Sequence, residues 1–165
     1  MSLARKAIYI VGAKRTPFGA FGGKLKHLSA TDLAVVSSKA ALVEANLSGD
    51  KIDDCFMGNV IQSSKDAAYL ARHIALKSGA PIKSPALTLN RLCGSGFEAV
   101  CLGAESIELD RSEVTLVGGT ENMSQAPMVI DGLTARWGAA LGKGMQADDS
   151  LWSGLTDSMI GLPMG

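Results

Sequence analysis

Two kinds of apolar pattern alternate along the chain. Short, nearly continuous apolar runs occupy Ala7 to Val11, Cys55 to Ile61, Pro85 to Asn90 and Val114 to Val117. Runs of this length bounded by turn residues read as strands buried on both faces. Between them the apolar residues recur every three or four positions. Leu33, Val36, Ala40, Val43 and Leu47 form one such stripe, opened by Ser29-x-x-Asp32, which resembles a capping box, and closed by Gly49. Ala67 to Lys77 is a second helical segment, with Ser63, Ser64 and Asp66 ahead of it and Gly79 and Pro81 beyond. Gly94 to Leu109 is a third, with Phe97, Val100, Cys101, Ala104 and Ile107 on the face expected to meet the core.

Strands alternating with helices in this way give βαβ units and a mainly parallel sheet. Ligands of such sheets gather beyond the carboxyl ends of the strands. Lys14 to Gly23 reads as a loop, and Lys14 and Arg15 as its solvated end rather than as a phosphate contact. After Glu121 the pattern gives way. Asn122 to Gln146 contains Pro127, Gly132, Gly138, Gly142 and Gly144 without a sustained period. Met123, Met128, Leu133 and Trp137 there are candidates for contact with a second subunit. A short helix is expected over Asp148 to Met159, and nothing after it closes a sheet, so the chain is expected to be cut short.

Composition narrows the picture. A chain of 165 residues with 47% apolar residues is one domain of ordinary size. Zero net charge argues against a general nucleic-acid binder, and no apolar run reaches the length of a membrane span. Residues 1–31 carry no acid but contain Arg5, Lys6, Lys14, Arg15, Lys24 and Lys26. That balance is typical of mitochondrial targeting segments, although it overlaps the first expected strand; the cytoplasm is the alternative. Three cysteines without a secretory signal point to a reducing compartment. With no C-x-x-C or H-E-x-x-H, and His27 and His73 far apart, no metal site is expected. Cys55 and His73 read as packed side chains.

The chemistry concentrates at Cys93. It stands where an extended apolar run ends, two glycines follow within three positions, and a helical pattern begins. A helix N-terminus presents unpaired amides and a partial positive charge, which favour a thiolate, and the thiolate is the nucleophile. Amides at the same bend suit an oxyanion formed when sulfur attacks a carbonyl. Gly94 and Gly96 permit a tight turn and close approach of substrate. Two other readings stand beside this one. The turn is purely structural, with Cys93 a small hydrophobe, or Gly94-x-Gly96-x-x-Ala99 with Glu121 is a dinucleotide-binding fingerprint. Spacing alone leaves the three open.

Longer stretches carry a resemblance. Asn90-Arg91-Leu92-Cys93-Gly94-Ser95-Gly96-Phe97 resembles the nucleophile motif of thiolases, nearest to their mitochondrial 3-ketoacyl-CoA branch. Ala13 to Gly19, Met57-Gly58-Asn59-Val60, Ala71-Arg72-His73, Gly118 to Pro127, Asp149 to Trp152 and Gly154 to Asp157 match in the family's order. The resemblance implies an α/β fold, the thiolase N-terminal half, with layered helices on a mixed, mainly parallel five-stranded sheet. It implies a core domain over residues 1–121 and the start of the loop and oligomerisation region over 122–165, the C-terminal half being absent.

By the same resemblance the chain is an acyl-CoA C-acyltransferase of fatty acid β-oxidation, working through an acyl thioester on Cys93. Leu155 and Met164 match positions lining the pantetheine and acyl channel. Acyl-CoA and coenzyme A are the partners, coenzyme A as substrate and with no cofactor. A homo-oligomer, a dimer or tetramer, and a location in the mitochondrial matrix are implied. The family's activating histidine and second cysteine belong to its other half, so the isolated chain is expected to be inactive and, with an apolar helix face uncovered, to self-associate. A noncatalytic fragment that joins full-length subunits is the alternative, and a dinucleotide-binding module a further one.

Overall fold

The computed structural model describes residues 6–138 and 144–154. Three parallel strands form the central sheet: β1 (Asp54–Gly58), β2 (Ala86–Leu89) and β3 (Thr115–Gly119), in the order β2-β1-β3. Cys55 lies opposite Ala86 on one side and Leu116 on the other, and Gly58 opposite Leu89 and Gly119. Because the strands run parallel and in step, their carboxyl ends gather at one edge of the sheet.

Side chains alternate across a strand, so β1 divides its residues between two helical layers. Cys55 and Met57 face α1 (Ala30–Glu44) and α2 (Leu70–Lys77), where they join Ala30, Ala34, Leu70, Ala71, Ile74 and Ala75 in the buried core. The opposite face receives α3 (Ser95–Glu108). Ser29 caps α1 in the expected capping box, its Oγ accepting from the Asp32 amide at 3.0 Å. Beyond β3, Met128–Ile130 (β4) pairs antiparallel with Ala147–Asp149 (β5), both exposed, and a short helix α4 (Ser150–Gly154) follows.

Three expectations are corrected. Ala7 to Val11 is not a strand, and among the described residues the parallel sheet has three strands rather than five. Tyr9 and Ile10 are 77% and 79% exposed, across an open groove of about 970 Å³ from α1, α3 and β3. An apolar run shows that a segment seeks burial; a strand also needs a neighbour to take its backbone hydrogen bonds.

The second correction concerns α1, which buries Ala30, Thr31, Ala34 and Ser38 while Val36 and Val43 of the expected stripe are exposed. The third concerns α3, which turns Ser95, Ala99, Gly103 and Ser106 to the sheet and leaves Phe97 83% exposed. Close packing explains the choice. A Cβ on Gly103 would collide with Val117 and stand 2.9 Å from Thr115 Oγ1, so only the small-residue face lets the helix lie this near the strands. Of the bulky stripe, Phe97 and Cys101 are exposed, while Val100, Ala104 and Ile107 line the groove beside β3.

Candidate active site

The bend between β2 and α3 is built by a short relay of hydrogen bonds. Asn90 Oδ1 accepts from the Leu92 amide at 2.9 Å. Ser95 Oγ accepts from the Arg91 amide at 2.8 Å and donates to the Leu92 carbonyl at 2.7 Å. Within this frame Leu92 takes φ +50°, a left-handed conformation that bulky residues seldom adopt. The residue after it is Cys93, whose side chain is exposed rather than packed. The sulfur therefore stands at an accessible corner ahead of a helix of 14 residues, as the catalytic reading requires.

The oxyanion donors are more restricted than the sequence suggested. The Gly94 and Ser95 amides are already used inside the turn, donating to the Arg91 and Leu92 carbonyls at 3.1 Å each. Neither is therefore free for a substrate, and the Gly96 nitrogen lies against β1, 3.0 Å from where a Cβ on Gly58 would stand. A Cβ on Gly96 would meet nothing within 4 Å, so the space in front of the turn is open.

Tight contacts hold this corner against the neighbouring strands. A Cβ on Gly58 would lie 2.6 Å from the Ser95 Cβ, and one on Gly119 would lie 3.4 Å from the Gly96 Cα. The ends of β1 and β3 thus seat the start of α3. Sequence reasoning missed Ser95, Asn59 and Asn122. Asn59 Nδ2 donates to the Thr120 carbonyl at 3.0 Å, and Asn122 Nδ2 to the Leu28 carbonyl at 2.6 Å. Their signal was polarity directly after an apolar strand, where a buried amide has backbone to satisfy.

Glu121 is not free to grip a ribose. Its carboxylate accepts from the Val60 amide at 2.9 Å, the Ile61 amide at 3.3 Å and Asn59 Nδ2 at 3.0 Å. Burial pushes its pKa up from the ordinary value, against those hydrogen bonds. Lys14 pairs with Glu44, and the Arg15 guanidinium lies 4.9 Å above the Phe18 ring, in keeping with a solvated loop end. Cys55 is fully buried, its Sγ 3.6 Å from the Ala71 carbonyl, and burial raises its pKa to about 12. His73 is half-buried on α2 and His27 exposed. Leu155 and Met164 lie outside the described residues. No helix among the described residues is long and apolar enough to cross a membrane.

Residues 8–165 match the family model of the thiolase N-terminal domain. The chain is 51% identical over 164 residues to the mitochondrial 3-ketoacyl-CoA thiolase of Homo sapiens, covering 99% of this chain and 41% of that protein. It is 39% identical over 156 residues to a beta-ketothiolase of Cupriavidus necator, covering 94% of this chain and 37% of that one. The crystal structure of human mitochondrial 3-ketoacyl-CoA thiolase superimposes with a TM-score of 0.88 at 51% identity, over 94% of this chain and 39% of that one. The chain therefore spans about two fifths of the length of these relatives. With an exposed cysteine at a strand-to-helix corner, a three-layered α/β core and this match over nearly its whole length, the chain belongs to the thiolase family, whose N-terminal domain it carries.

Proposed function

We propose that Cys93 is the acyl acceptor of a coenzyme-A-dependent acyl transfer, the 3-ketoacyl-CoA thiolase reaction of fatty acid β-oxidation. The observation that carries this reading is the exposed Cys93 thiol behind a left-handed Leu92, at the carboxyl edge of a parallel sheet and ahead of α3. In the reaction the sulfur attacks the keto carbon, the carbon–carbon bond breaks, and acetyl-CoA leaves after its carbanion takes a proton. Coenzyme A then displaces the acyl group from Cys93. In this reading, backbone amides at the Cys93 bend receive the charge on the attacked oxygen.

Coenzyme A and acyl-CoA are the substrates, with no separate cofactor. A relative of known structure is described in complex with CoA, which supports this reading. By the family positions they match, Leu155 and Met164 are assigned to the pantetheine and acyl channel, and residues 122–165 to assembly as a homo-oligomer. Relatives named as mitochondrial support a mitochondrial location, and within it we assign the chain to the matrix. The resemblance assigns the activating histidine and second cysteine to the remainder of the family's length, so these 165 residues exchange an acyl group with coenzyme A at Cys93 but carry out little or no thiolysis of a 3-ketoacyl-CoA.

The test is incubation with acetyl-CoA followed by peptide mass spectrometry. Transfer forms the Cys93 thioester and releases free coenzyme A. Acetylation at Cys93, absent from Cys93→Ser and removed by added coenzyme A, is the expected result. An unmodified Cys93 beside a readily alkylated one overturns it. The exposed Phe97 face and the open groove favour a second reading, a noncatalytic chain that joins full-length subunits. Co-purification with full-length thiolase, without acetylation, would support that instead.

A further inference from the structure

The Cys93 bend does not stand alone; it is tied to the far strand of the sheet through two loops. Glu121, two residues beyond β3, holds the segment that follows β1 by three hydrogen bonds, from Asn59 Nδ2, the Val60 amide and the Ile61 amide. The Val60 carbonyl on that segment accepts from Asn90 Nδ2 at 3.4 Å. Asn90, through its other side-chain atom, accepts from the amide of left-handed Leu92 at 2.9 Å. The Asn59 amide also donates to the Leu89 carbonyl at 3.0 Å, which fixes the 59–61 segment against the end of β2.

We infer that Glu121 is a positioning residue for Cys93, acting through Val60 and Asn90 on the turn that aims the thiol. Its hydrogen bonds go to one loop, residues 59–61. A carboxylate taking two backbone amides at once makes stronger hydrogen bonds than a neutral acceptor. Asn90 in turn uses both ends of its amide, one on that loop and one on the turn, which converts a braced loop into a braced bend. The inference rests on the proposed role of Cys93 for its catalytic meaning, but the geometry it concerns is measurable without coenzyme A.

The three cysteines supply the assay. Cys93 is exposed in the turn, Cys101 exposed on α3, and Cys55 buried in the core. Iodoacetamide labelling, read per cysteine by mass spectrometry, reports the turn, the helix surface and global unfolding in one experiment. Glu121→Ala is expected to lower the Cys93 rate by about five- to tenfold, with Cys101 unchanged and Cys55 still protected. Glu121→Gln, which keeps one acceptor oxygen, is expected to fall between. Asn90→Leu removes the link, so adding Glu121→Ala to it should lower the rate no further.

An unchanged Cys93 rate in Glu121→Ala with Cys55 protected overturns the inference. So does a full additional effect of Glu121→Ala in the Asn90→Leu background. Exposure of Cys55 in both Glu121 variants would mean that the carboxylate supports the fold rather than the bend, and also overturns it. Failure of the parent chain to take acetyl from acetyl-CoA, with the labelling pattern as expected, sinks the acyl-acceptor reading while leaving the positioning role supported.

Discussion

The Ser95 hydroxyl donates to the Leu92 carbonyl at 2.7 Å and so holds in place the residue that carries the chain into Cys93. The same oxygen accepts from the Arg91 amide at 2.8 Å. Ser95 is buried, and Ala in its place would leave the Arg91 amide without that acceptor and Leu92 without a tether for its φ of +50°. Ser95→Ala is expected to cost about 1–2 kcal/mol in urea unfolding and to slow Cys93 alkylation more than Cys101 alkylation. Equal slowing at both cysteines would count against it.

Gly103 and Gly96 lie on the same helix and should respond oppositely to one methyl group. A Cβ on Gly103 meets Val117 and Thr115, whereas one on Gly96 meets nothing within 4 Å. Gly103→Ala is expected to destabilise the chain by about 1–3 kcal/mol through overpacking. Gly96→Ala should stabilise it by about 0.4–1 kcal/mol, because the unfolded chain loses freedom and the folded one loses nothing. The open space before Gly96 is where a substrate would approach, so Gly96→Ala should also lower acetyl transfer to Cys93. Thermal melts of the two variants separate the outcomes directly.

Cys55 gives a pH dependence with a definite sign. Burial raises its folded pKa to about 12, above the unfolded value of roughly 8.5. A raised folded pKa means that the contribution is fully present below the unfolded value and is lost as pH climbs toward the folded one. The thiol proton is also needed to reach the Ala71 carbonyl. Stability of the parent chain should therefore fall between about pH 8.5 and 12 more steeply than that of Cys55→Ala, the difference approaching about 1.4 kcal/mol per pH unit. Urea midpoints from pH 7 to 10.5 test this, and parallel slopes for the two chains would refute it.

The strands of the sheet and the corner at Cys93 were legible because both depend on local pattern. A strand run, a glycine pair and a helical period lie next to one another in sequence, and the fold keeps them in that order. Which faces of α1 and α3 turn inward was not legible. Phe97 and Val100 carry the hydrophobicity, but Gly103, Ala99 and Ser95 permit the contact distance, and closeness to β1 and β3 decides the packing. The alternative that gave Glu121 to a dinucleotide site could not be dismissed from the sequence for a related reason. The residue's position after a strand fitted a ribose-binding acid, and only the three-dimensional path of residues 59–61 shows what its oxygens meet. Ala7 to Val11 failed as a strand because pairing needs a partner that a periodicity cannot name.

Phe97 provides a test of that unpartnered face. It is 83% exposed, beside Val100 at 41% on the same helix, and Tyr9 and Ile10 add further apolar exposure across the groove. Removing a side chain that is already in water costs the fold little, so Phe97→Ser should change unfolding free energy by no more than about 0.5 kcal/mol. Exposed apolar surface drives association, however, and the same variant should shift light-scattering mass toward the monomer and raise the solubility limit. The two measurements discriminate. Loss of stability with unchanged association would place Phe97 in a core that the exposure does not reveal. Unchanged stability with reduced association identifies the outer face of α3 as the surface through which chains meet, and the same face should be protected when full-length thiolase is added.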